Sequence, residues 1–319
     1  MSNASIKPRI LTIVGPTGTG KSELSLMLAE HLGNAQIVSM DSMQIYRGLD
    51  IGTAKLTLEE RRGIPHHMLD VADPHEIYTV SAYKADAGKA IEAILSKGDL
   101  PILVGGTGLY LNALSYEMPL GGEGSDEAFR NELREIAKTE SGKQALFERL
   151  KEIDPESAGK LHVNDIHRVI RALEIYHVTG KRKSEIRTPQ VEGPYTFRII
   201  GLTDDRARLY ERINARVLSM LDKGWMDEVA ALMARGVRFD SPEGGVSQAI
   251  GYPELSQVLS GSLAYEQAVE WIQRNTRRYA KRQWTWFNRD PRVQWFSYEA
   301  YGNREELYRA VLCAVKQNI

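Results

Sequence analysis

Gly15-Pro16-Thr17-Gly18-Thr19-Gly20-Lys21-Ser22 sets the reading of the whole chain. Its spacing, a glycine, four residues and then Gly-Lys-Ser, is that of a phosphate-cradling P-loop. The flanks agree. Ahead of it, Ile10-Leu11-Thr12-Ile13-Val14 is a short, apolar, β-branched run that predicts a buried strand. Behind it, Leu24, Met27, Leu28 and Leu32 recur at helical spacing as far as Gly33, so a helix starts at the loop. Strand, glycine loop and helix together aim backbone N–H groups and the positive end of a helix dipole at an anion. Gly15, Pro16, Thr17, Gly18, Thr19 and Gly20 are therefore expected to wrap a phosphorylated compound. Lys21 adds a point charge, and the Ser22 hydroxyl is placed to touch Mg2+. The context predicts an α/β fold of the P-loop type, a parallel sheet flanked by helices. The loop alone does not name the phosphorylated compound.

A chain of 319 residues has room for a large core and two domains, at roughly 100–200 residues each. One cysteine, Cys313, excludes an intrachain disulfide and a cysteine-cluster zinc site. No signal-peptide pattern and no apolar run of transmembrane length is present, which predicts a cytoplasmic protein with no membrane partner. The net charge of −1 gives no hint of nucleic acid, but an average conceals polarised surfaces.

Two further stretches fall where open α/β sheets hold their ligands, at the carboxyl ends of strands. Ile37-Val38-Ser39-Met40 reads as a strand ending at Asp41-Ser42. Asp41 is either a turn cap or a ligand-facing carboxylate, and the shared edge with the P-loop favours the second. Pro101-Ile102-Leu103-Val104 opens into Gly105-Gly106-Thr107-Gly108, where backbone can approach a ligand and Thr107 offers a hydroxyl. A helix is expected between them, from about 81 to 97. Pro65-His66-His67 lacks metal-ligand spacing and is read as structural or substrate-facing.

From about Gly121 the strand–helix alternation stops. Gly121-Gly122-Glu123-Gly124 reads as a linker, Ser125-Asp126-Glu127 as a helix start, and helical patterns run to about Thr179-Gly180. This predicts a helical insertion over 121–189 in a core made of 1–120 and 190–319. Within it Asn164 is expected to cap a helix with the apolar stripe Ile166, Val169, Ile170 and Leu173. Lys160 to Arg187 holds seven Lys/Arg against three acids, a solvated face or a track for a phosphate backbone. Farther on, Phe197 to Leu202 returns to strand character. Arg208, Arg212 and Arg216 then follow at intervals of four, a spacing that costs about a few tenths of a kcal/mol per pair in repulsion. Asp205 and Glu211 are expected to relieve it. The row borders the apolar Leu209, Ile213, Val217 and Met220, which suits guanidiniums held toward an anion. A last long helix, about 265–287, carries Arg274, Arg277, Arg278, Lys281 and Arg282 among Trp271, Tyr279, Trp284 and Trp286. Its cations are read as phosphate contacts and its tryptophans as packing.

Taken in order, these pieces resemble the tRNA dimethylallyltransferase (tRNA isopentenyltransferase) family. The resemblance rests on the P-loop, Asp41-Ser42-Met43-Gln44-Ile45-Tyr46, Asp50-Ile51-Gly52-Thr53-Ala54-Lys55, Pro65-His66-His67 and Gly105 through Tyr110. It continues through Asn164-Asp165 with Arg168, Arg171-Ala172-Leu173-Glu174, Ala249-Ile250-Gly251-Tyr252 and Arg278-Tyr279-Ala280-Lys281-Arg282-Gln283. The P-loop is common to many families, whereas the Asp-Ser-x-Gln-x-Tyr and Arg-Gln runs are far more specific. The zinc finger of eukaryotic relatives is missing, which implies a bacterial type. Gly18 stands where the family often has alanine.

The resemblance implies that the loop holds the diphosphate of dimethylallyl diphosphate while the prenyl group passes to N6 of adenosine 37, beside the anticodon of a tRNA. Asp41 would be the general base. Lys21, Thr107, Ser22 through Mg2+, and Arg212 or Arg216 would steady the leaving diphosphate. Ser42, Met43 and Gln44 would meet the target nucleotide, and His167, Arg168, Val169, Ile170 and Arg171 the tRNA, joined by Arg278, Lys281 and Arg282. Two other enzymes use the same loop: an ATP-dependent small-molecule kinase and an adenylate isopentenyltransferase. A nucleotide switch is disfavoured, because the Asn-Lys-x-Asp guanine motif is not in the chain.

Overall fold

A computed structural model describes residues 7–117, 126–186, 191–241 and 244–317. The chain separates into two compact units, Met1–Tyr116 with Glu192–Ile319, and Glu117–Val191. The expected linker at 121–124 and the closing Thr188-Pro189 lie outside the described residues.

The larger unit is built on a parallel six-stranded sheet. Strand β1 (Arg9–Val14) leads through the P-loop into helix α1 (Lys21–Leu32), which Gly33 ends in the left-handed region. Next come β2 (Ala35–Met40), a two-residue β3 (His66–His67), α2 (Val80–Leu95), β4 (Leu100–Gly105) and α3 (Gly108–Ser115). The smaller unit supplies α4 (Glu127–Ile136), α5 (Glu140–Ile153), α6 (Pro155–Ala158) and α7 (Ile166–Thr179). The chain returns as β5 (Thr196–Thr203), α8 (Arg206–Asp222), α9 (Trp225–Ala234), α10 (Tyr252–Leu259), α11 (Tyr265–Phe287), β6 (Val293–Ser297) and α12 (Arg304–Lys316). Sheet order is β3-β2-β4-β1-β5-β6.

Both sheet faces are covered, so the central strands read as nearly continuous apolar runs. Alternate side chains point to opposite faces. Ile10, Val14, Val38 and Leu103 pack with Tyr83, Ile91 and Leu111 of α2 and α3. Leu11, Ile13, Ile37 and Ile102 pack with Leu24 and Leu28 of α1 and with Leu307, Val311 and Val315 of α12. β1 and β4 are neighbours whose following helices lie on opposite faces. A crevice therefore opens between their carboxyl ends, the usual ligand position in such sheets. A third core, with Ile45, Leu49, Val217, Trp225, Val229, Tyr252 and Ile272, gathers α8–α11 around the segment after β2.

The smaller unit is all-helical, with Phe129, Leu133, Leu146, Leu150, Val169 and Leu173 in its core. Asp126, Thr139 and Asp154 accept N–H groups three residues ahead and cap α4, α5 and α6. Asn164 does not cap α7: Asp165 holds the N-cap position, and its carboxylate instead accepts the His162 N–H at 3.1 Å.

Candidate active site

The P-loop closes on itself before it meets any ligand. Gly15 has φ 138°, and a Cβ there would stand 2.3 Å from the Leu202 carbonyl oxygen of β5, so only glycine fits. Thr19 Oγ1 donates to the Pro16 carbonyl at 2.8 Å, and Lys21 Nζ donates to the same oxygen at 2.7 Å. Gly20 holds the N-cap position of α1, and no side chain caps the helix. The first-turn N–H groups, which have no intrahelical acceptor, are thus left to the loop's interior. Burial and then the Arg216 charge bring the Lys21 ammonium down to about 7, against an upward pull from Asp41. The Ser22 hydroxyl is exposed at the same helix end.

Asp41 and Thr107 meet across the crevice through backbone. Asp41 Oδ1 accepts the N–H of Met43 at 2.8 Å and of Gln44 at 3.3 Å, so the turn-capping role is present. Thr107 Oγ1 accepts the Ser42 N–H at 3.2 Å, and Thr107 N–H donates to the Met40 carbonyl. Gln44 turns inward: its Oε1 accepts from Ser39 Oγ and its Nε2 donates to the Thr53 carbonyl. Its amide supports the turn, whereas Ser42 and Met43 line the cleft.

α8 sorts its arginines by position. Arg208 and Arg212 pair with Asp204, at 3.0 and 2.6 Å. Asp204, and not the expected Asp205 or Glu211, relieves the row, because Asp205 is spent capping the helix through the Ala207 and Arg208 N–H groups. Arg216, one turn further, reaches the P-loop and donates to Thr17 Oγ1 at 3.2 Å. Burial holds its guanidinium below the ordinary arginine value, with Asp41 opposing. Arg216 is therefore the arginine of the row that stands against the loop.

Of these groups, Thr17, Asp41, Ser42, Met43 and Arg216 line one cleft of about 420 Å³. Thr17, Asp41, Arg216 and Arg282 give it charge and polarity, while Ile213, Val217, Met220 and Trp225 form an apolar wall. The loop after β2 is held in place from α9. Glu228 accepts the N–H groups of Asp50, Ile51 and Gly52 and the Tyr252 hydroxyl, all within 3.2 Å. Lys55, almost fully buried, ties Asp50, Asp70 and the Tyr46 carbonyl together. The histidine pair is structural: the His66 ring meets the Ile64 carbonyl and the His67 ring the Gln36 side chain, both at 2.8 Å. Among the described residues no His, Cys, Asp and Glu cluster suits a metal ion.

Arg278, Lys281 and Arg282 are exposed along α11; of the tryptophans expected to pack, Trp284 is largely exposed, and Trp286 is exposed on one side while its indole lies against Gly108. In the helical unit His167 and Arg168 are exposed, and Arg171 is paired with the fully buried Glu174 at 2.7 Å. Val169 and Ile170 correct the expectation of a tRNA contact. They are core residues, 0% and 5% exposed, because they face the apolar side of α7.

A family described as IPP transferase matches residues 44–290. The chain belongs to the IPP transferase family. The P-loop and Asp41 precede that segment, and the likeness to relatives extends over them. A tRNA dimethylallyltransferase of Pelotomaculum thermopropionicum is 44% identical over 98% of both chains. The full-length tRNA isopentenylpyrophosphate transferase of Bacillus halodurans, a crystal structure, superposes with a TM-score of 0.72 at 42% identity, covering 98% of this chain and 96% of that one. A eukaryotic dimethylallyltransferase acting on tRNA gives a TM-score of 0.77 at 31% identity, over 95% of this chain and 78% of that one. Within this family frame, Tyr279, Gln283, Glu228 and Trp225 are the site residues that sequence reasoning left without a role. For the first two the signal was present, a tyrosine and a glutamine four apart in a basic helix. Glu228 had none, since one carboxylate on a surface helix resembles any other.

Proposed function

We propose that this IPP transferase moves the dimethylallyl group of dimethylallyl diphosphate to N6 of the adenosine beside the anticodon in tRNA, releasing diphosphate. The observation that carries the reading is the joining of two unlike ends in one cleft. Lys21 and Arg216 crowd the P-loop with positive charge, Asp41 acts on both electrostatically, and an apolar wall lies alongside. An allylic diphosphate has the matching halves.

The amine nitrogen attacks C1 of the allyl group, the C1–O bond breaks, and the electron pair leaves with the diphosphate. Lys21, Arg216 and the loop N–H groups bind that charge as it develops, where fixed donors act most strongly. Asp41 Oδ2 takes the N6 proton, an effect typically worth about 10²–10⁴-fold, while Oδ1 stays with the turn. Thr107, whose hydroxyl holds Ser42, keeps this turn facing the loop. An adenosine must leave its stack to enter the cleft, at a cost of about a few kcal/mol, and contacts to the exposed cations of α11 and of the helical unit would offset it. The exposed Ser22 hydroxyl would hold Mg2+, since such an ion needs no all-protein cage. When bound, Mg2+ supplies charge neutralisation to the diphosphate oxygens.

Incubation with dimethylallyl diphosphate and unmodified tRNA, followed by mass spectrometry of the nucleosides, should find one prenyl group on that adenosine. Phosphate transfer from ATP to a small acceptor, with unmodified tRNA left unchanged, would replace this reading with a kinase.

A further inference from the structure

Gln283 lies on α11, 5% exposed, between the two glycine loops of the site. Its Oε1 accepts the Thr17 N–H at 2.8 Å, and its Nε2 donates to the Gly106 carbonyl at 3.1 Å. One helical turn earlier, the Tyr279 side chain meets both Thr107 and Gln283. A Cβ on Gly106 would stand 1.8 Å from Gln283 Nε2, so the second loop has glycine there because this amide occupies the space. The bridge joins working parts on both sides. Thr17 takes Arg216 on its hydroxyl, and the residue after Gly106 holds Ser42, next to Asp41.

A side-chain amide is suited to this place because it carries an acceptor and a donor on one rigid plane. A carboxylate could take the Thr17 N–H but would face the Gly106 carbonyl with a second acceptor. A thioether of similar length could do neither strongly. The bond also withdraws the Thr17 N–H from the anion cradle, leaving the donors from Gly18 onward for phosphate.

We propose that Gln283 is a positioning residue that fixes the spacing between the leaving-group loop and the Asp41–Thr107 side of the cleft. The kinetic part rests on the prenyl-transfer reading; the bridge itself does not. Placement errors of about 1 Å in a reacting pair cost about 10²-fold.

The test compares Gln283→Met, Gln283→Glu and Gly106→Ala with the parent, using dimethylallyl diphosphate and tRNA for kinetics and hydrogen exchange for the Thr17 amide. Of the three, Gln283→Met and Gly106→Ala should exchange that amide at least ~10-fold faster, and Gln283→Glu, which keeps an acceptor for it and loses the Gly106 bond, less so. Their kcat should fall by about 10–100-fold, with the KM for tRNA within about threefold of the parent. Unchanged exchange at Thr17 in Gln283→Met and Gly106→Ala would overturn the bridge. Faster exchange with kcat within about twofold of the parent would overturn the positioning role. A parent that transfers no prenyl group would defeat the functional reading, with the exchange result still deciding the bridge. Should Gln283→Met fail to fold, Gly106→Ala reaches the same amide from the opposite side.

Discussion

In the proposed reaction Asp41 divides its work between two oxygens, one capping the turn and one taking the proton, and this makes substitution informative. Asp41→Ala would remove the turn cap with the base, whereas Asp41→Asn keeps an oxygen for the Met43 and Gln44 N–H groups. Turnover of Asp41→Asn should fall by at least ~10²-fold, with tRNA affinity nearly unchanged in a filter-binding assay. Near-parental turnover would remove the base assignment. Lys21 carries a pH signature. Its ammonium, brought to about 7 by burial and Arg216, is half protonated near neutrality, and a bound diphosphate raises it again. Binding therefore takes up a proton above this value, and diphosphate affinity should weaken as pH rises from about 7 to about 9. Calorimetry should show this slope beyond the ligand's own titration, and Lys21→Met should lack it.

At the scale of elements, the readable parts were those where one local rule decides. β1, the P-loop and the helix ended by Gly33 follow from spacing and apolar periodicity, and the same holds for β2, β4, β5 and α11. β3 was not legible, because two residues have no period and the strand exists only through pairing with Ile37 and Val38. β6 is a short edge strand, and α10 and α12 earn their helicity from packing on the third and second cores. The arginine row was visible as a row, but its division was not. Asp204 follows directly on β5, and its partners depend on where α8 begins. This gives a contrast within one helix. Arg216→Ala should lower kcat by about 10²-fold or more through loss of leaving-group charge, while Arg208→Ala, at an exposed side chain paired with Asp204, should leave kcat within about threefold. Equal losses in steady-state assays would contradict the division.

Across the whole molecule, a net charge of −1 conceals two exposed basic segments, on α11 and on α7. If phosphates of a tRNA meet Arg278, Lys281 and Arg282, log affinity should fall linearly with log salt, with a slope steeper than about −2. Replacing the three by alanine should make the slope shallower by about that amount, and an unchanged slope would remove α11 from the interface. In the proposed reaction the P-loop grips a leaving group, and the chemistry occurs at the carbon beside it. The most direct measurement is diphosphate release from dimethylallyl diphosphate, counted against prenylated adenosine in the same tube. One diphosphate per modified adenosine, with release dependent on tRNA, is the predicted result. Release at the same rate without tRNA, or prenylated tRNA without matching diphosphate, would contradict it.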